Sequence, residues 1–181
     1  MSDSPEFQLV RRRFMEVHGA CVRPAFGSYS QIERADLPRA AMGFRRADSE
    51  PLFLERYLDA PVEQAVSAAL GRPVARGSII EIGNLAADDA FSMIELWGSA
   101  ANDLGADCEV AVATLTAPLR AMFARIGVPL AVLAPAVAER ADEPDEWGRY
   151  YASDPQVCAG VIAQGQAAIA RFLARRRRAA A

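Results

Sequence analysis

A glutamate stands inside the short apolar run SIIEIGNLAA, residues 78–87. Isoleucines flank Glu81, so a strand here would bury its carboxyl group and raise its pKa towards that of a general base. Gly83 permits the backbone angles of a β-bulge. Such a bulge would turn Glu81 and Asn84, which point to opposite faces of a regular strand, to the same side. The run therefore predicts a site where these two residues could orient a substrate or take up a proton from it.

A structural role is the alternative for Glu81, since a buried glutamate is often held by a nearby arginine. Two more carboxylates, Asp88 and Asp89, open the helix that follows. A helix N-terminus often binds phosphate through its free N–H groups. Aspartates at this place take up those groups as caps and repel an anion. We therefore predict a self-capped helix here, without a pyrophosphate site.

A second candidate cluster lies in FLERYLDAPVEQ, residues 53–64. Its acidic and phenolic residues are Glu55, Tyr57, Asp59 and Glu63. Side chains of these types select a cationic amine or an amino acid, and a solvated surface with a helix cap is the alternative. Arg45, beside Arg46, can bind a phosphate or carboxylate through two hydrogen bonds, with surface ion pairs as the alternative.

Composition excludes several kinds of site. The 181 residues, 52% of them hydrophobic, suit one domain with its own core. The absence of lysine excludes Schiff-base chemistry and a P-loop lysine. His18, the single histidine, excludes a multi-histidine zinc site, and we interpret it as structural. The three cysteines are widely spaced and form no metal or disulfide pattern, so we expect no bound metal.

The charge and the hydropathy of the sequence limit the kinds of partner that the chain is expected to bind. The net charge of −3 gives no reason to expect nucleic-acid binding. The chain has no apolar run of the roughly 18 residues that span a bilayer, and it begins without a secretory signal, so we predict a cytoplasmic protein. Residues 171–181 are expected to form a mobile arginine-rich tail. We interpret this end as a solubilising tail, with contact to an acidic carrier protein or an anionic membrane as the alternatives, and membrane contact is expected only through this C-terminal helix.

The elements that must position these residues alternate between strand and helix. The predicted strands cover residues 6–10, 27–35, 37–47, 78–87, 108–116 and 128–137. The predicted helices cover residues 11–22, 61–70, 88–105, 117–127 and 154–178, the last capped by Asp154 with Pro155 in its first turn. The β-α-β-α-β order of residues 78–133 predicts neighbouring parallel strands in a mixed α/β fold.

Two segments resemble a known family. Residues 42–87 contain PLFLERYLDAPVE and EIGNLA, and residues 147–160 read WGRYYASDPQVCAG. Both resemble the bacterial thermostable-haemolysin-like family, across roughly residues 40–160. That family is similar to the N-acetyltransferase-like (GNAT) fold and to acyl-homoserine-lactone synthases. The resemblance implies one GNAT-like domain over residues 1–181, with a central mixed sheet flanked by helices on both faces.

The resemblance also implies an acyltransferase. Its donor would be acyl-CoA or an acyl-phosphopantetheine on an acyl-carrier protein, which is then a possible partner, and its acceptor a small amino-acid-like amine. No covalently bound cofactor is implied. Glu81 and Asn84 would be catalytic, with Asn84 where the synthases carry arginine. Gly83 and Leu85 would contact substrate at a V-shaped gap between residues 78–86 and 108–116.

Two departures from the GNAT pattern keep other functions open. Asp88 and Asp89 replace the phosphate cradle, and Phe123 stands where GNAT enzymes commonly carry a tyrosine acid. We interpret Phe123 as a core residue. The role of the acid would pass to a water molecule or to one of three tyrosines, Tyr57, Tyr150 and Tyr151, or would be absent. The alternatives are a non-catalytic GNAT-like binding module and a membrane-active haemolysin. Acyl length, acceptor and oligomeric state stay open.

Overall fold

The computed structural model describes residues 4–179, which build a six-stranded mixed sheet and five α-helices. The strands are β1 Ser28–Arg34, β2 Leu37–Arg46, β3 Ile79–Ala87, β4 Val110–Leu115, β5 Ala131–Pro135 and β6 Gln156–Val161. The helices are α1 Pro5–His18, α2 Val62–Leu70, α3 Ala90–Leu104, α4 Ala117–Ile126 and α5 Ile162–Ala179. The strand order is β1-β2-β3-β4-β6-β5, and only the β3–β4 pair is parallel.

Helices cover both faces of the sheet. Alternate residues of β2 show the division, because Met42 packs with the buried residues of α3, α4 and α5 whereas Ala41 packs with those of α1. Helix α2 covers the α1 face further along the sheet, where Val62 and Val66 pack against Val112 of β4. The predicted fold class, a mixed sheet with helices on both faces, is confirmed.

The first predicted strand, residues 6–10, is wrong. These residues belong to α1, which has Pro5 in its first turn and ends at Gly19 in the left-handed conformation. Leu9 and Val10 are buried in this helix. A run of five residues is too short for its periodicity to separate helix from strand, and the proline favoured the helix.

The helix predicted from residue 154 is also wrong in its first turns. Residues Gln156–Val161 form β6, and α5 begins only at Ile162. Strand β6 lies between β4 and β5 and is antiparallel to both, so β5 is not the parallel neighbour of β4 that the element order predicted. Apolar residues of β6 such as Val157 are fully buried, and this tertiary burial overrides the local helix signal.

Helix α5 continues through the arginines of the predicted tail as far as Ala179. Arg176 lies over the ring of Phe91 on α3, with 4.7 Å between the guanidinium carbon and the ring centroid. Residues 180 and 181 of the predicted tail lie outside the described residues. In residues 4–179, no helix combines the length and apolar content needed to cross a membrane.

Strands β2 and β3 carry two facing glycines beneath the ring of Phe26. Gly43 pairs with Gly83, and a Cβ added to either would come within 2.5 Å of the phenylalanine side chain. The glycines therefore let Phe26 lie directly on the sheet backbone next to Glu81. Gly83 has ordinary backbone angles, since its φ is not among the positive values, so its role is this close approach.

We expect Gly43→Ala to lower the free energy of unfolding by about 1–3 kcal/mol, because its Cβ would also meet Phe26 Cβ, which a ring rotation cannot move away. Urea denaturation measures the change. Gly27→Ala is the matched control, since a Cβ there meets no atom within 4 Å. Equal stabilities of the two variants would contradict the close-packing argument.

Candidate active site

The sheet opens where β3 leaves β4. Residues Ile79–Ile82 pair with Val110–Ala113, and no pairing with β4 continues beyond Ile82. On its other edge β4 stays paired with β6 from Val110 to Leu115, so beyond Ala113 only its β3 side is open. The predicted gap between these two strands is confirmed.

A β-bulge accompanies the opening. Between the pairs Gly43–Gly83 and Ala41–Ala86, β3 carries one residue more than β2. Asn84 takes the left-handed conformation with φ 50°, which asparagine tolerates better than most residues. The bulge was expected at Gly83, and the structure places its left-handed residue at Asn84. This bulge bends β3 away from β4.

A cavity of about 460 Å³ occupies the opening. The end of β3 supplies Gly83, Asn84 and Leu85, and the end of β4 supplies Thr114. The starts of α3 and α4, helix α1 and two aromatic segments complete its walls. Of the residues predicted to form the site, Glu81, Asn84, Tyr57, Gly83 and Leu85 line this cavity.

Glu81 borders the cavity and also holds a neighbouring segment in place. Its carboxylate oxygens accept hydrogen bonds from the backbone N–H groups of Phe53 and Leu54, both at 2.9 Å. Arg45 Nε lies 3.3 Å from Oε2, an ion pair without hydrogen-bond alignment. Burial raises the pKa of the Glu81 carboxyl group, and the two N–H donors and Arg45 oppose the shift. The two backbone hydrogen bonds support a structural role for Glu81, and its position at the cavity is compatible with a chemical role.

Arg45 is occupied on every side. Its guanidinium donates to the carbonyl oxygen of Ala25 at 2.8 Å, pairs with Glu50 and lies 4.3 Å over the ring of Phe26. Arg45 is absent from the cavity walls formed by residues 4–179. Its predicted contact with a substrate anion would require these interactions to break, so the structure gives that role no support.

The acidic segment lies apart from the cavity except for one residue. Arg76 donates to Glu55 at 2.6 and 2.9 Å and to Glu63 at 2.9 Å. Arg140 pairs with Asp59 at 2.6 Å. These carboxylates are neutralised by arginines distant in the sequence and do not face the cavity, whereas Tyr57 lines it.

An aromatic wall closes one end of the cavity. Its rings come from α1, from the short 3₁₀ helix Phe53–Tyr57 and from the segment WGRYY: Phe14, His18, Phe53, Tyr57, Trp147 and Tyr150. Trp147 and Tyr150 have ring centroids 5.2 Å apart. We did not predict Trp147, Phe14 or His18 as site residues. The aromatic density of WGRYY was the available signal, but its partners on α1 are more than 120 residues away in the sequence.

Two groups in this wall are relevant to proton transfer. The Tyr150 hydroxyl donates to the carbonyl oxygen of Thr114 at 3.5 Å, and burial raises its pKa. The pKa of His18 is lowered, first by burial and then by the positive charge of Arg149. His18 therefore lies at the cavity as a largely neutral imidazole at pH 7.

The junction between β3 and α3 is capped by the protein itself. Asp89 accepts hydrogen bonds from Ser92 N at 2.8 Å and Ser92 Oγ at 2.7 Å, which lower the pKa of its carboxyl group. Asp88 does not cap the helix and instead pairs with Arg12 at 2.6 Å and with Arg39 at 3.2 Å. The predicted self-capped helix is confirmed, with Asp89 as the cap. Both carboxylates line the cavity.

Phe123 is confirmed as a core residue. It is buried on the α3 side of the sheet and stacks on Trp97 with ring centroids 3.7 Å apart. Within residues 4–179, no group of three or more His, Cys, Asp or Glu side chains is arranged to hold a metal ion.

Comparison with protein families identifies the chain. The model of the thermostable hemolysin family matches residues 4–166, which include every wall of the cavity. The chain belongs to the thermostable hemolysin family. A comparison with curated proteins gives no match.

Solved structures share the fold of this family member. The CoA-dependent acyl-homoserine lactone synthase BjaI, with SAM and isopentyl-CoA, is 14% identical with a TM-score of 0.63, over 93% of this chain and 80% of BjaI. The synthase LasI is 13% identical with a TM-score of 0.62, over 91% and 85%. FeeM, an N-acyl amino acid synthase from uncultured soil microbes, is 12% identical with a TM-score of 0.59, over 90% and 92%. The fold is GNAT-like, as in these synthases.

The Glu55–Arg76 pair predicts a pH dependence of stability. Hydrogen bonds from Arg76 lower the pKa of Glu55 from 4.5 to about 2. The stabilisation is therefore complete above pH 4.5 and is lost as the pH falls towards 2. We expect Glu55→Gln to remove about 2–3 kcal/mol of unfolding free energy at pH 7 and much less at pH 2. Urea midpoints across this range test the difference, and a constant difference would contradict it.

Proposed function

We propose that this chain is an N-acyltransferase that moves an acyl group from a phosphopantetheine thioester to an amino-acid-like amine. The observation that carries the proposal is the parting of β3 and β4 after Ile82, with a cavity running through the opening. Beyond Ile82 the edge of β3 has no partner strand on the β4 side. Its backbone groups are therefore free to hydrogen-bond an extended pantetheine arm.

The two ends of the cavity suit the two substrates. Ile82, Met93 and Met122 form an apolar part of the wall, which suits an acyl chain, while Asp88 and Asp89 line the cavity at the start of α3. Towards α1 the walls are aromatic, which suits a small organic acceptor. Arg13 and Arg23 line the cavity beside the aromatic wall and pair with Glu16 at 2.6 Å and Glu146 at 3.2 Å. The carboxylate of an amino acid would have to compete with these partly exposed ion pairs.

The reaction needs one base and one acid. The amine nitrogen attacks the thioester carbonyl carbon, the C–N bond forms, and the C–S bond breaks to release a thiolate. We assign the proton of the attacking amine to Glu81, whose raised pKa brings it nearer to the working pH. Asn84 lies at the bulge, three residues after Glu81 on β3, and we assign it the role of orienting the amine. Tyr150, kept protonated by burial, gives its proton to the thiolate.

The β3–α3 junction favours a carrier-protein donor over coenzyme A. A pyrophosphate at this helix N-terminus would meet the carboxylates of Asp88 and Asp89, and Asp89 already takes the N–H of Ser92. A carrier protein presents pantetheine with one phosphate, which reduces the repulsion. The synthase BjaI is described as CoA-dependent, so the fold accepts coenzyme A where the junction permits it.

Glu81→Gln tests the assigned base. We expect acyl transfer to fall by at least about 100-fold, a typical effect of losing a general base. The unfolding free energy should also fall by about 1–3 kcal/mol, since the amide group faces an N–H donor. Acylation is measured by mass spectrometry with a panel of amino acids, well below the melting temperature.

Glu55→Gln is the matched control for the structural part. Glu55 accepts hydrogen bonds from Leu52 N and Val62 N in the same region but does not line the cavity. This variant should lose stability and keep its acylation rate. Equal rates in both variants would remove Glu81 from the chemistry. Donor binding without transfer by the wild type would instead support a non-catalytic binding module.

The donor assignment has its own test. With matched acyl chains, we expect the KM for acyl-CoA to exceed that for acyl-carrier protein by about tenfold or more. Asp88→Asn should lower the KM for acyl-CoA, because Arg12 and Arg39 lose their shared carboxylate and become available to phosphate. The exposed Asp59→Asn is the control of equal charge change. Equal KM values for the two donors in the wild type would contradict the assignment.

A further inference from the structure

A second, smaller cavity lies in the core between the sheet and helices α3, α4 and α5. Its volume is about 90 Å³, against about 460 Å³ for the large cavity at the strand opening. Its walls include small residues of α3, β4 and α5, namely Ala100, Ala113 and Gly165, which leave the space open. Among residues 4–179, no charged side chain lines it. The space therefore suits a hydrocarbon chain and does not suit a charged group.

Ile82 is the one residue of 4–179 that lines both cavities. It packs against the core cluster on the α3 face of the sheet. That cluster also contains Met93, which lines the large cavity, and Phe123, which lines the small one. On this face of the sheet, the large cavity therefore ends at Ile82 and the small cavity begins behind it.

The backbone of Ile82 is held on both edges of β3. Ile82 is the last residue of β3 that pairs with β4, opposite Ala113, and it pairs with Phe44 of β2 on the other edge. The bulge that bends β3 follows only after it. Isoleucine is branched at Cβ, which restricts its χ1 angle. A stiff side chain on a backbone paired on both edges forms a barrier that does not move aside when a ligand enters.

We propose that Ile82 sets the length of the acyl chain that the enzyme accepts, by stopping the chain at the boundary between the two cavities. This inference rests on the proposed acyl transfer and names its specificity-determining residue. The chain lies along the apolar wall with Met93 and Met122, and its terminal methyl group meets Ile82. A longer chain would displace the thioester from the strand opening, and a misplaced carbonyl carbon is attacked more slowly.

The volume of the small cavity determines how many carbons are gained when the barrier is removed. An apolar cavity of about 150 Å³ holds a benzene molecule, that is, about six carbon atoms. In proportion, the 90 Å³ of the small cavity hold about three or four carbon atoms. Burial of each CH₂ group corresponds to about a fourfold gain in binding. Opening the barrier should therefore favour chains that are about three carbons longer.

Competition between donors in one reaction tests the inference. The enzyme receives an equimolar mixture of straight acyl chains of increasing length on carrier protein or, in a parallel reaction, on CoA. The acceptor is the amino acid that the wild type acylates best. Mass spectrometry of the first N-acyl products gives the relative kcat/KM of the chains, which does not depend on the fraction of a variant that is folded. In Ile82→Ala we expect the preferred chain to lengthen by about three carbons, with about a fourfold gain for each.

Ile80→Ala is the matched control. Ile80 lies two residues earlier on the same face of β3 and is 2% exposed, but it is absent from the walls that residues 4–179 give to either cavity. This variant loses core packing and should keep the length preference of the wild type. Ala113→Val, added to Ile82→Ala, places two methyl groups opposite the truncated side chain and should return the preference towards the wild type.

Ile82→Met is a second variant, which tests the stiffness of the barrier. It keeps an apolar side chain of similar volume, so the fold is retained, and it removes the branch at Cβ. The flexible methionine can move aside, and we expect a smaller shift towards longer chains.

A shift towards longer chains in either Ile82 variant, without a shift in Ile80→Ala, supports the inference. An unchanged preference in both Ile82 variants, a shift towards shorter chains, or an equal shift in Ile80→Ala would overturn it. Failure of the wild type to transfer any chain from either donor would instead overturn the proposed function itself.

Discussion

The parting of β3 from β4 is the constraint on which the rest of the molecule depends. The two strands form four residue pairs and then separate where a bulge at Asn84 bends β3, whereas β4 stays paired with β6 along its other edge. A sheet interrupted in its centre must have its free edge covered or filled. Here the free edge borders a cavity, and residues from helices, strands and loops at both faces converge on it.

Glu81 connects this opening to the stability of the fold. Its carboxylate satisfies two backbone N–H groups at the start of the helix Phe53–Tyr57, and that helix contributes Phe53 and Tyr57 to the aromatic wall. Stability and the proposed chemistry therefore share one side chain. An arginine holds the nearby carboxylates in place. The planar guanidinium group of Arg76 donates two hydrogen bonds to Glu55 and one to Glu63.

The start of α3 carries carboxylates at the edge of the cavity. Helix α3 begins where a GNAT-like fold would place a phosphate, yet its N-terminus is capped by Asp89 and flanked by the paired carboxylate of Asp88. A fold does not imply a function, and the donor must be argued from this local charge.

The sequence by itself determined the features that depend on neighbouring residues. Helix α3 followed from apolar spacing and the Asp89 cap, and the glycine stops at Gly71 and Gly127 followed from local conformation. The family resemblance predicted a gap between residues 78–86 and 108–116, and the structure places its start after Ile82. The tertiary structure decided what depends on distant partners. Burial between β4 and β5 makes residues 156–161 a strand. The carboxylates of the acidic segment form ion pairs with arginines that lie elsewhere in the sequence. The tertiary structure also packs Phe14 of α1 against Trp147. A contact between residues more than a hundred positions apart leaves no periodic pattern in the sequence, so the sequence could not predict it.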